Sequence, residues 1–173
     1  MQTSSPSTIP FSFPTGNTGA VAATADPNLR TDTKRILVVD DSAFILKILS
    51  IKLKAAGYEV LTAEDGAEAV SIARIQRPDL IVLDMIFPPD VAHGGGIAWD
   101  GFLIMEWVRR LESGKDTPII VISAGDPAKF KDRSLAAGAV AFFQKPLNHD
   151  ELISTVRLAL DARKTQPAGT VSK

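Results

Sequence analysis

Residues Arg35 to Ser42 read R-I-L-V-V-D-D-S: four consecutive apolar residues, three of them β-branched, run into two adjacent carboxylates and then a hydroxyl. A continuous apolar run of this length, ended by polar groups, predicts a strand buried on both faces of a parallel sheet. Asp40 and Asp41 then stand at the C-terminal edge of that sheet, where open α/β sheets place their ligands. Two like charges this close are unfavourable unless a cation compensates them.

Outward from this stretch, strand and helix patterns alternate. Ser42 is placed to cap a helix running to about Ala56, and Gly57 stands where a helix-ending glycine belongs. Tyr58 to Ala63 predicts a second strand, and Asp65 to Gln76 a helix that stops before Pro78. Asp79 to Leu83 (D-L-I-V-L) predicts a third strand that delivers Asp84 to the same edge. Gly101 to Leu111 follows as a helix, Pro118 to Ile122 as a strand, Pro127 to Ala137 as a helix, Ala139 to Phe143 as a strand and Asp150 to Ala162 as the last helix. The expected fold is therefore a doubly wound, five-stranded parallel sheet with five helices.

Composition sets the outer bounds. The chain has 173 residues, 45% hydrophobic and 23% charged, with a net charge of -1 and no cysteine. That length accommodates one domain with a sizeable core and not comfortably two. The near-neutral balance makes no electrostatic case for nucleic acid or an anionic membrane, so neither is expected as a partner. Without cysteine there are no disulfides or thiolate metal sites, which fits a cytoplasmic location, and no stretch approaches the ~18 to 20 apolar residues that span a bilayer. Residues 1–33 are rich in Ser, Thr, Pro and Gly, carry no charge before Asp26 and lack the pattern of a secretory signal. They are expected to form a disordered tail. Residues 34–163 form the domain, and residues 164–173 read as a loose C-terminal tail.

Four of the predicted strands bring chemistry to one edge: Asp40 and Asp41 from the first, Asp84 from the third, Ser123 from the fourth, and Lys145 just after the fifth. Each alone would only end a strand. Three carboxylates, a hydroxyl and an ammonium converging on one cleft suit acyl-phosphate formation on a carboxylate. The aspartates offer the hard oxygen ligands that Mg²⁺ takes while keeping several waters. Ser123 and Lys145 supply donors to the equatorial oxygens of an incoming phosphoryl group.

With those residues in place, the chain from about Lys34 to Arg163 resembles the receiver domain of two-component response regulators. The resemblance rests on the acidic pair Asp40–Asp41, on Asp84, on Ser123 followed by the small Ala124, and on Lys145–Pro146, all in order and spacing. It implies a flavodoxin-like fold with Asp84 as phosphoacceptor. It further implies Mg²⁺ or Mn²⁺ held by Asp40, Asp41, Asp84 and the backbone carbonyl of Ile86, with Ser123 and Lys145 on the phosphoryl group and a cis Lys145–Pro146 peptide. The implied donor is a histidine kinase or a histidine phosphotransfer protein, and output goes to an unidentified protein target. Because few residues follow Arg163, a stand-alone switch is expected, a phosphoacceptor and not an enzyme beyond its own phosphorylation and dephosphorylation.

Several positions depart from the family pattern or leave two readings open. Phe142 occupies the aromatic switch position beside Ser123 but has no tyrosine hydroxyl, so it reads equally as a core aromatic. Residues 88–99 (P-P-D-V-A-H-G-G-G-I-A-W) hold an insertion of roughly nine residues beside the site. It is read as a surface loop, with Asp90 and His93 a weaker candidate for a metal site. Ile86 and Gly125, two residues after Asp84 and Ser123, cannot hydrogen-bond a hydrolytic water through their side chains, and the resemblance ties these positions to phosphoryl lifetime. In the first helix Ile45, Leu49, Leu53 and Ala56 form one apolar stripe and Phe44, Ile48, Ile51 and Ala55 a second. One stripe faces the sheet. The other is either covered by the last helix or the tail, or is left for docking of the histidine donor through Phe44, Ile48 and Ile51. The competing classes are a phosphate-independent adaptor on the same fold and a haloacid-dehalogenase-type phosphatase. The latter needs two aspartates one residue apart on one strand, whereas Asp40 and Asp41 are adjacent.

Overall fold

A computed structural model of the chain describes residues 33–87 and 99–165. The expected N-terminal tail up to residue 32, the inserted segment 88–98 with Asp90 and His93, and residues 166–173 lie outside the described residues. The order of elements is β1 (Arg35–Val39), α1 (Ala43–Ala55), β2 (Glu59–Ala63), α2 (Gly66–Gln76), β3 (Leu80–Asp84), α3 (Gly101–Arg110), β4 (Ile119–Ser123), α4 (Pro127–Ala136), β5 (Ala141–Gln144) and α5 (His149–Thr165).

All strand pairings are parallel and the sheet order is β2-β1-β3-β4-β5. The chain therefore turns back across the sheet after β2, and the crevice this creates opens at the C-terminal ends of β1 and β3. Alternate residues of each central strand feed opposite cores. Leu37, Val39, Ile81, Leu83, Ile119 and Val121 pack with α2, α3 and Phe130 of α4. Their neighbours Ile36, Val38, Leu80, Val82, Ile120 and Ile122 pack with α1 and α5. Every residue of β3 and β4 is buried. Since full burial of an Ile, Leu or Val is worth about 1.5–3 kcal/mol, these runs have no lower-energy place than the centre of the sheet.

The observed strands sit slightly further along the chain than the pattern predicts. Pro118 has no N–H to place in a ladder, so β4 starts at Ile119. Asp79 stays outside β3 because its carboxylate accepts from Arg35 N (3.0 Å) and Lys34 Nζ (3.2 Å). Asp84 and Ser123 are consequently the last residues of β3 and β4, inside the sheet, and do not merely follow it. The last helix runs past the expected end at Ala162 to Thr165, and no glycine or proline stands there to stop it. The Lys145–Pro146 peptide is cis, as expected.

Candidate functional site

Asp40 follows β1 directly and is 0% exposed, and Asp84 at the end of β3 is 3% exposed, whereas Asp41 is open to solvent. Lys145 reaches in from the segment after β5. Its Nζ donates to Asp40 Oδ2 at 2.6 Å and to Asp84 Oδ2 at 2.9 Å, with the lysine side chain only 16% exposed. The backbone under it is held as well, since Lys145 N donates to Ser123 O at 2.8 Å. Each buried carboxylate has a second donor on its other oxygen: Ser42 N to Asp40 Oδ1 (2.9 Å) and Met85 N to Asp84 Oδ1 (2.7 Å). Asp40 thus accepts from the backbone N–H of Ser42 itself, and Ser42 stands at the helix start without the side-chain cap bond expected of it.

Burial is the largest influence on Asp84 and lifts its carboxyl above the ordinary value, against the pull of Lys145. Lys145 meets the opposite outcome. Burial disfavours its charge, but hydrogen bonds to Asp40 and Asp84 and their negative charge outweigh it, so the ammonium is held more firmly than a free lysine's. The site is built to keep one cation against two carboxylates in a poorly solvated place.

The donor set suits a hard divalent cation. Asp40, Asp41 and Asp84 each offer a carboxylate oxygen, and these lie within 4.8 Å of one another. Oxygen-only ligands at such spacing match Mg²⁺ and disfavour soft metals. Ser123 is fully buried with its Oγ accepting from Gly125 N at 3.0 Å. Ile86 is exposed, and its N–H approaches Asp84 Oδ1 at 3.4 Å.

Phe142 is partly buried against the core of α2 and α3, and Phe143 against that of α1 and α5, so the two adjacent rings do point to opposite faces. On α1 the buried residues are Leu46, Leu49 and Leu53, with Ile45 partly buried beside them. Leu46 belongs to neither apolar stripe of the sequence pattern, yet it is buried with Leu49 and Leu53, three and seven residues further along the helix. Phe44 (69%) and Ile51 (59%) are exposed and Ile48 is half-buried, so α5 leaves most of the second stripe uncovered.

Two contacts escape a reading of the sequence. Gly101 lies so close beneath the site that a methyl group on it would stand 2.5 Å from Met85 Sδ and 2.8 Å from Asp84 O. The Asp-Gly pair opening α3 was visible, but its approach to Asp84 was not. Phe130 lies over Gly125, a meeting of side chain and backbone that no local pattern marks.

The family profile described as response regulator receiver domain matches residues 36–157. The DNA-binding dual master transcriptional regulator RpaA of Synechocystis sp. is 33% identical over 126 residues, covering 73% of this chain and 48% of that protein. Among solved structures, a CheY-like response regulator receiver domain protein from Methanospirillum hungatei JF-1 superposes with a TM-score of 0.68 at 27% identity, covering 78% of this chain and 99% of that one. The receiver domain of a sensor histidine kinase from Pseudomonas aeruginosa PAO1, solved with magnesium coordinated in its active-site cleft, gives 0.63 at 29% identity, with coverages of 75% and 98%. The chain spans about half the length of the curated relatives it matches.

These relatives correct one expectation. Nucleic acid was set aside on net charge, yet a protein one-third identical over most of this chain is a DNA-binding transcriptional regulator. Net charge over a receiver-sized segment reports on that segment alone and excludes no partner of the proteins that contain it. Among the described residues no helix is long and apolar enough to cross a membrane. An acidic cluster at the crevice of a 2-1-3-4-5 sheet, a lysine bridging two of its carboxylates and a profile match over residues 36–157 agree, and the chain belongs to the response regulator receiver domain family.

Proposed function

We propose that this chain is a phosphorylation-controlled signalling switch in which Asp84 accepts a phosphoryl group from a histidine of a kinase or phosphotransfer protein. The observation that carries the reading is the Lys145 ammonium, bonded at once to buried Asp40 and buried Asp84. Such an arrangement is costly to keep in a fold with no use for it, which disfavours a phosphate-independent adaptor.

In the transfer, a carboxylate oxygen of Asp84 forms a bond to phosphorus while the bond from phosphorus to the donor imidazole nitrogen breaks, and the electron pair stays on that nitrogen. Lys145 exchanges a carboxylate for a phosphoryl oxygen without leaving its place. The Ser123 hydroxyl turns to a second oxygen, and Phe142 responds to the movement of β4. Asp40, Asp41, Asp84 and the Ile86 carbonyl would hold Mg²⁺ or Mn²⁺, which when bound offsets charge on the phosphoryl oxygens. The donor's helical surface meets α1 through Phe44, Ile48 and Ile51. Support for Phe44 and Ile48 in this face comes from a groove of about 180 Å³ lined by Phe44, Ile45, Ile48, Leu49, Pro146 and Leu147, with Lys145 and His149 also at its wall; Ile51 continues the exposed stripe beyond it.

The test is Asp84→Asn with Mg²⁺ and acetyl phosphate, followed by intact mass. The wild-type protein gains one phosphoryl group and the variant none while keeping its circular dichroism spectrum. Undiminished labelling of the variant would remove Asp84 from its role.

A further inference from the structure

Two turns carry the groups on either side of Asp84, and a single ring, Phe130, fills the space beside Gly125 in the second of them, with the tip of Ile86 from the first nearby. In the turn after β3, Ile86 N approaches Asp84 Oδ1 at 3.4 Å. In the turn after β4, Gly125 N donates to Ser123 Oγ at 3.0 Å. A methyl group on Gly125 would stand 2.8 Å from Phe130 Cδ2, closer still to Phe130 Cε2, and 3.0 Å from Ile86 Cδ1. The space that a side chain at position 125 would fill is therefore already taken by Phe130, with the tip of Ile86 beside it.

Phe130 is held where it is. It comes from the first turn of α4, where Asp126 caps the helix and Pro127 starts it, so its backbone is tied to the end of the β4 turn. Its ring stacks on Phe102 of α3 with centroids 6.3 Å apart and planes 10° from parallel. The Arg133 guanidinium lies 3.7 Å over the Phe102 ring and steadies it in turn.

We propose that Phe130 is a positioning residue that sets the lifetime of the phosphoryl group on Asp84. It does so by closing, with Ile86, an apolar cover over the side of the site that Gly125 leaves open; this rests on the reading of Asp84 as phosphoacceptor. Hydrolysis forms a bond from a water oxygen to phosphorus and breaks the bond from phosphorus to the Asp84 oxygen. The carboxylate leaves with the electron pair, the water gives its proton to solvent and inorganic phosphate departs. That water has to be ordered in line with the leaving oxygen. Ile86, Gly125 and Phe130 offer it no side-chain donor or acceptor, and their packed surface excludes it.

The experiment uses the full chain labelled with acetyl phosphate and Mg²⁺, freed of excess reagent, with decay of the phosphoryl adduct followed by intact mass. Phe130→Ala should shorten the lifetime by about threefold or more by admitting water, while Phe130→Leu, which keeps apolar bulk, should stay near wild type. Gly125→Ala should slow decay again in the Phe130→Ala background, because its methyl enters the vacated space. In the wild-type background it should lower the melting temperature, because the ring is in its way. Phe130→Val replaces the alanine variant if the latter does not fold. A ring with only a packing role would change melting temperature without changing decay. Labelled protein whose Phe130→Ala form decays at the wild-type rate overturns the proposal alone, whereas a wild-type chain that takes no label overturns the assignment of Asp84 and the proposal with it.

Discussion

Lys145→Met removes the ammonium that bonds both buried carboxylates while keeping a flexible apolar stem in its place. Asp40 and Asp84 are then left facing each other. Unit charges within 4.8 Å of one another repel by about 3.5 kcal/mol or more at an effective dielectric of about 20. Breaking a buried ion pair by deleting one partner costs about 3–5 kcal/mol in general, so the two routes agree. A loss of this size should lower the melting temperature by about 10 °C or more for a domain of this length, read by circular dichroism at neutral pH. The pH dependence has a definite sign. The raised pKa of Asp84 means that the fold favours its protonated form. Its contribution is therefore most favourable below the ordinary value of 3.8 and declines as pH rises through the folded value. Without Lys145 that decline steepens, so the gap between variant and wild type should narrow on acidification. Mg²⁺ should raise the melting temperature of the variant more than that of wild type, since a bound cation then compensates the carboxylates in place of Lys145. A loss below about 1 kcal/mol, within the range of an ordinary surface pair, or an equal response to Mg²⁺ in both proteins, would refute the account of Lys145 as the charge that makes the site stable.

Phe44→Asp should reduce phosphotransfer from a histidine donor by about tenfold or more, as expected for an apolar anchor turned into a charge, while labelling by acetyl phosphate stays nearly unchanged. Equal loss by both routes in time-resolved labelling would mean that Phe44 serves packing, and no loss by either would take this face out of docking. Gly101→Ala presses a methyl group onto Met85 Sδ and Asp84 O. It should destabilise by about 1–3 kcal/mol in urea titration and slow labelling, because the backbone beside Asp84 has to shift. A stable variant that labels at the wild-type rate would show that the approach of α3 to β3 has slack.

How much of this was legible in advance depended on how far along the chain each interaction reached. Periodicity along the chain determined the five strands and five helices, because the apolar runs at Ile36–Val39, Leu80–Leu83 and Ile119–Ile122 are too short and too continuous to be anything but central strands. It also determined that Asp40, Asp41, Asp84, Ser123 and Lys145 share an edge, since parallel strands all end on the same side. Strand ends were less accurate, because they are decided by which backbone groups find partners. Asp79 is withdrawn from β3 by Lys34 and Arg35, more than forty residues earlier. What Lys145 bonds to, and that Asp40 serves first to hold it, depends on burial around both carboxylates. Arg109 shows the same at the opposite end of the sheet. It donates to the carbonyls of Gly114, Lys115, Thr117 and Gly138, joining two turns that no sequence pattern connects. The ring of Phe130 against Gly125 and Ile86 belongs with these. A residue's type and spacing decide which element it joins and which face it takes, because those follow from backbone geometry repeated locally. Which group it touches across the fold is decided only when the helices settle onto the sheet and the remaining space is shared out between them.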